Sequence, residues 1–101
     1  MAIVTIIGAG VMGSAISWPL ADNGHAVRLV GTHLDNEIID SIKVSRVHPR
    51  LGRAVPDGVT AYHHTDIGVA VQGADLIISG VSSFGVDWFA ETVGPFMQPH
   101  I

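Results

Sequence analysis

The sequence predicts an α/β protein built on a doubly wound parallel sheet, and three observations carry the prediction. Short apolar runs alternate with helical patterns four times along the chain. Two of those runs, Ala2 to Ile7 and Leu76 to Val81, are dominated by apolar residues, as strands covered on both faces must be. Between the first run and the first helical pattern lies Gly8-Ala9-Gly10-Val11-Met12-Gly13, which reads G-x-G-x-x-G.

That motif is a weak signal alone, because a glycine-rich loop can be turn chemistry only. Set between a buried strand and a helix, it points to a Rossmann-type dinucleotide-binding domain. Each glycine then has a physical task. Gly8 turns the chain sharply off the strand, and Gly10 removes the Cβ that would hold a pyrophosphate away from the backbone. Gly13 lets the helix pack close to the sheet, with its free N–H groups and dipole facing the phosphates.

The remaining elements follow in order. Val11 to Asn23 carries apolar residues at Val11, Ala15, Ile16, Trp18 and Leu20, at near-helical spacing, with a kink expected at Pro19. Asp22-Asn23-Gly24 stops it, with Gly24 suited to a left-handed cap. His25 to Val30 is the second strand. Asp35 to Arg46 is a second helix with Asp35 as a candidate cap and Ile38, Ile39 and Ile42 as its apolar face. His48 to Gly58 contains two prolines and two glycines and is expected to be loop without regular structure. Val59 to Tyr62 is a short strand, and Thr65 or Asp66 opens a brief helix that Gly73 ends. Asp75 leads into the strand 76–81, and Ser82 or Ser83 caps a last helix reaching about Val93.

Right-handed crossovers place the second and third strands on one side of the first and the fourth on the other. Ligand belongs over the carboxyl ends of the first and fourth strands, with Gly8 to Gly13 facing Val81 to Gly85. The reading is one domain over 1–101, truncated before a fifth strand, the N-terminal part of a larger two-domain enzyme.

Composition excludes several classes. Five basic against nine acidic residues give a net charge of −4 with no basic block, which argues against nucleic acid. There is no cysteine for disulfide or thiol chemistry, and no run long enough to span a bilayer. The expectation is a cytoplasmic chain. The six histidines lack metal-ligand spacing, and His63-His64, placed in a strand, would point to opposite faces. No metal site is expected.

Over nearly its whole length the sequence resembles the N-terminal domain of the NAD(P)-dependent glycerol-3-phosphate dehydrogenases. The resemblance begins with Ile7 to Gly13 and Asn23-Gly-His-Ala-Val-Arg-Leu29. It is most telling in His48-Pro-Arg-Leu-Gly52 with Val55-Pro-Asp-Gly-Val59, a segment that generic dinucleotide folds rarely carry. Thr65-Asp66 and Gly73 to Ile78 extend it. Many members read Val-Pro-Ser where this chain has Val81-Ser82-Ser83, and many carry an arginine where Thr32 and His33 stand. The resemblance implies hydride transfer between a nicotinamide nucleotide and sn-glycerol 3-phosphate or dihydroxyacetone phosphate, as a step of glycerophospholipid metabolism. It also implies a second, helical domain bearing a general-base lysine, the substrate-phosphate groups and the contacts of a homodimer. None of the catalytic positions falls within 1–101.

The candidate cofactor-binding residues are therefore Gly8, Gly10, Val11, Met12, Gly13, Thr32, His33, Val81, Ser82 and Ser83. NAD is the expected cofactor and NADP the alternative. Asp35 and Glu37 come slightly late for the ribose acid, no arginine closely follows Arg28, and Thr32 and His33 can hydrogen-bond either nucleotide. Asp35 is read equally as ribose ligand or helix cap. Ser82 and Ser83 lack the Gly-x-Ser-x-Gly context of a nucleophile and are read as cap and cleft lining. Arg50 and Arg53 are candidates for steering a phosphorylated substrate, against the plainer reading of solvated loop arginines. Competing functions are another two-domain dehydrogenase, such as a ketopantoate reductase or 3-hydroxyacid dehydrogenase, and a non-catalytic NAD-sensing module. The gene beyond Ile101 discriminates them, because only the leading reading requires a further strand, a lysine soon after it and a helical domain.

Overall fold

The computed structural model of the chain describes residues 2–79. In chain order its elements are β1 (Ile3–Ile7), α1 (Val11–Asp22), β2 (Ala26–Val30), α2 (Asn36–Ser45), β3 (Val47–His48), β4 (Arg53–Ala54) and β5 (Val59–Tyr62). A single 3₁₀ turn (His64–Asp66), α3 (Ile67–Val71) and β6 (Leu76–Ser79) follow. The helix expected from Ser82 or Ser83 lies outside the described residues.

β1 has a parallel partner on each side, pairing Ile3 with Ala26 through Ile7 with Val30, and Val4 with Leu76 through Ile7 with Ser79. β5 adds to the far side of β2, giving the parallel order β5-β2-β1-β6. This is the doubly wound arrangement that right-handed crossovers require.

Alternation along the strands sorts side chains into two layers. Val4, Ile6, Val27, Leu29, Val59 and Ala61 pack with Ile38, Ile39 and Ile42 of α2, and Trp18, Leu20 and Ala21 of α1 lean on the same cluster. On the opposite face Ile7 and Val30 meet Ile67, Ala70 and Val71 of α3. Two polar residues of that face, one on β1 and one on β2, serve one purpose. The buried Thr5 hydroxyl donates to Ala70 O at 2.6 Å, and Arg28 donates to the carbonyls of Ala70 and Gln72. The open carbonyls at the end of a five-residue helix are thereby satisfied.

Three expectations need correction. In α1, Ala15 and Ile16 face outward, while Gly13, Ser14 and Ser17 are buried. Small residues let α1 lie close to the sheet, and both hydroxyls are satisfied locally, Ser14 Oγ on Ala9 O and Ser17 Oγ on Ser14 O. Pro19 lies inside α1 and is exposed, so the bond that proline denies to Ala15 faces water. The segment from His48 to Gly58 is not structureless, because β3 and β4 form a short antiparallel ladder, Val47 with Ala54 and His48 with Arg53. Gly52, at φ +61°, makes the tight return and donates its N–H to His48 O. His63 and His64 do not share a strand either. β5 ends at Tyr62, and His63 Nε2 instead meets Asp40 Oδ1 of α2 at 2.8 Å.

Gly31, just past β2, sits directly beneath α2. A Cβ built there would stand 2.5 Å from Ile39 Cγ1 and 3.1 Å from Asp35 Cβ. Gly31→Ala is expected to destabilise the fold by about 1–3 kcal/mol, the usual cost of overpacking a close-packed site. Urea unfolding of the variant beside the parent checks it.

Candidate functional site

The carboxyl ends of β1, β2 and β6 open on one edge of the sheet, and the glycine turn leaves β1 there. Gly8 has φ +114°, a conformation only glycine adopts without strain, and its N–H donates to Val30 O at 2.7 Å. The turn thus stays attached to β2 while it swings the chain into α1. Gly10 is the N-cap residue, extended at φ −66° and ψ −178°, and no side chain caps the helix. A non-glycine residue could adopt that backbone. A Cβ at Gly10 would project into open space, with nothing within 4 Å. What glycine secures here is close approach from outside, beside the first-turn amides that have no partner within the helix. This is the geometry of an anion seat at a helix N-terminus.

Ala9, between the first two glycines, is wholly buried. Its N–H donates to Asp35 Oδ2 at 3.1 Å. Its carbonyl accepts from Ser14 Oγ at 3.0 Å and contacts His48 Nε2 at 2.9 Å. His48 is also wholly buried, and its Nδ1 accepts the N–H groups of Arg50 and Leu51 at 3.2 and 3.3 Å. Side chains from three segments therefore converge on the two peptides that flank Ala9.

Asp35 occupies the N-cap position of α2, as one of the two readings of the sequence had it. Its side chain makes no capping bond to α2. The same Oδ2 that holds Ala9 also accepts from Thr32 N at 2.9 Å and Thr32 Oγ1 at 3.1 Å. Thr32 Oγ1 in turn accepts the Leu34 N–H at 3.2 Å. Thr32 is thus half-buried in the β2–α2 loop and engaged in ordering it, while its neighbour His33 is exposed. The structure brings Gly8, Gly10, Gly13 and Thr32 to one edge of the sheet. Val81, Ser82 and Ser83 lie outside the described residues.

The basic residues are largely committed elsewhere. Arg28 serves α3, Arg46 donates to Pro56 O at 2.6 Å, and Arg53 lies 5.1 Å over the Trp18 ring. Arg53 itself is exposed. A groove of about 520 Å³ lies between α2, β5 and α3, lined among others by Lys43, Arg46 and Tyr62, and shares no residue with the glycine turn. Among the described residues no group of three His, Cys, Asp or Glu is placed to hold a metal ion. No described helix is long and apolar enough to cross a membrane.

Comparison with known families fits this geometry. The family described as NAD-dependent glycerol-3-phosphate dehydrogenase N-terminus matches residues 3–101. The chain belongs to that family. An NADP(+)-dependent glycerol-3-phosphate dehydrogenase of Archaeoglobus fulgidus is 42% identical over 96 residues, 95% of this chain and 28% of the relative. A glycerol-3-phosphate dehydrogenase [NAD(P)+] of Oceanobacillus iheyensis is 36% identical over 75 residues, 74% of the chain and 21% of the relative. Among solved structures, glycerol-3-phosphate dehydrogenase from Coxiella burnetii superposes with TM-score 0.87 at 25% identity, over 98% of this chain and 30% of that one. A protein described as a 2-dehydropantoate 2-reductase from Enterococcus faecalis shares the fold, at TM-score 0.67 and 24% identity. The chain therefore spans under a third of the glycerol-3-phosphate dehydrogenases it matches, the part that forms the nucleotide fold.

The Arg53 contact has a measurable consequence. Arg53→Ser is expected to cost about 0.5–1 kcal/mol of stability, the usual worth of an exposed cation–π pair. It should leave nucleotide affinity unchanged. Thermal unfolding and an NADH fluorescence titration of the variant check both halves.

Proposed function

We propose that this chain is the cofactor-holding domain of an oxidoreductase that moves hydride between NAD(P)(H) and the pair sn-glycerol 3-phosphate and dihydroxyacetone phosphate. One observation carries the reading: an uncapped helix N-terminus lies behind a glycine whose missing Cβ leaves the approach open. The pyrophosphate would take N–H bonds from the turn around Gly10 to Met12, and the helix dipole favours its charge. The nicotinamide supplies the hydride chemistry when the nucleotide is bound. This chain's residues supply the seat. Gly8 turns the backbone, Gly10 admits the phosphates and Thr32 orders the loop after β2, where Thr32 and His33 stand as candidate contacts to the adenosine ribose. Val81, Ser82 and Ser83 complete the proposed lining from the β6 side.

We assign no general base to 1–101. The substrate-phosphate groups and the homodimer contacts are likewise proposed for the remaining length that the relatives possess. The full-length protein is proposed to be a cytoplasmic homodimer of glycerophospholipid metabolism that acts on a small phosphorylated substrate, with neither membrane nor nucleic acid as partner.

Both nicotinamide nucleotides are proposed as ligands. Arg28, Arg46 and Arg53 are engaged away from the ribose end, so none of them selects a 2′-phosphate. Asp35 spends Oδ2 on three donors, which weakens its claim as the ribose acid that would select NAD. The relatives' names are mixed in the same way. The dissociation constants for NADH and NADPH are expected to lie within about tenfold of each other, since no bidentate charge contact separates them. A gap of two orders of magnitude by calorimetry would overturn this assignment.

Gly10→Asp is expected to weaken NADH binding by roughly a hundredfold or more, because its carboxylate would face the pyrophosphate at short range. Equal affinity of variant and parent would mean that the turn does not seat the phosphates. Oxidation of NADH or NADPH with dihydroxyacetone phosphate by the full-length protein tests the reaction. Failure with both nucleotides while another ketoacid is reduced would replace the substrate, and binding without any turnover would favour a sensing module.

A further inference from the structure

His48 is buried far deeper than a loop histidine needs to be, and its hydrogen bonds are directional. Nδ1 accepts two backbone N–H groups, so it carries no proton. The ring proton of the neutral imidazole must then sit on Nε2, where it is donated to Ala9 O across 39 residues of sequence. The Ala9 carbonyl belongs to the same planar trans peptide as the Gly10 N–H, and in such a peptide the two groups point in opposite directions. Holding the carbonyl therefore fixes the direction of the Gly10 N–H, at a residue where a Cβ would meet nothing within 4 Å. Asp35 fixes the preceding peptide through the Ala9 N–H, and Ser14 Oγ adds a second donor to the carbonyl. The orientation of the turn is thereby determined from both sides of Ala9.

We propose that His48 is a positioning residue of the dinucleotide site, aiming the Gly10 amide at the pyrophosphate by holding the Ala9 carbonyl, with Asp35 as the complementary hold. The proposal rests on the reading of the glycine turn as a pyrophosphate seat. It differs from a packing role in one checkable respect. A ring that only fills the core can be exchanged for an apolar ring of similar size without changing how the turn meets its ligand. A ring that donates a hydrogen bond cannot.

The test uses the protein as its gene encodes it, with His48→Phe and His48→Gln. NADH affinity is followed by fluorescence titration, and each fold is checked by thermal unfolding. His48→Phe is expected to bind NADH about tenfold more weakly, the effect of one lost buried hydrogen bond. His48→Gln, whose amide nitrogen can replace Nε2 as donor, is expected to recover most of that loss. A long-range ¹H–¹⁵N spectrum of the unaltered protein should show the His48 proton on Nε2, and this readout needs no variant to fold. A proton on Nδ1, or a folded His48→Phe that binds NADH as the parent does, would overturn the positioning role and leave the nucleotide reading standing. A parent that binds no NADH would remove the nucleotide reading and the proposal with it.

Discussion

A parallel sheet offers no short route from one strand to the next, so every connection must travel back over a face before pairing again. That constraint falls hardest on β1, which is paired on both sides and covered on both faces. Val4, Ile6 and Ile7 are at most 2% exposed, and none can be exchanged for a polar residue without an unpaired group in the core. Because all four strands run the same way, their carboxyl ends collect on one edge, and the first chain reversal happens there. The place proposed for the ligand is thus a consequence of how β1 is buried.

This is why the fold was legible in the chain. Strands covered on both faces are dominated by apolar residues, which marked β1; the run from Leu76, read the same way, forms β6 with both its ends exposed. Crossover handedness then leaves one order for the four strands. Positions failed where side-chain chemistry overrode periodicity. Ser14 and Ser17 are buried in α1 because their hydroxyls bond within the turn and helix. Ala15 and Ile16 read as its apolar side and face water. The short β3–β4 ladder was hidden by Pro49 and Gly52, whose turn chemistry is what closes it.

The candidate site divides along the same line. Gly8 and Gly10 were legible because what was read from each is local: one has a positive φ, and the role proposed for the other needs only an absent Cβ. Asp35 and His48 were visible as residues, but their partner was not. Ala9 lies 26 and 39 residues from them, and no local pattern announces a side chain whose purpose is a distant peptide. For His48 the available signal was the proline- and glycine-bearing segment around it, which marked the family without disclosing a role. Thr32 was chosen for its hydroxyl, and the structure shows that hydroxyl already exchanging bonds with Asp35 and Leu34.

The opposite edge of the sheet carries different machinery. There Asp75 Oδ2 receives the Ile3 N–H at 2.9 Å, and His25 Nδ1 receives that of Ala2 at 3.0 Å. Side chains from two later segments thus moor the beginning of the chain, a full strand's length from the glycine turn. Anchorage and the glycine turn occupy separate poles of the same four strands. Sequence change can therefore retune how firmly the domain holds its first strand while leaving untouched the amides of that turn, and the reverse is equally open to it.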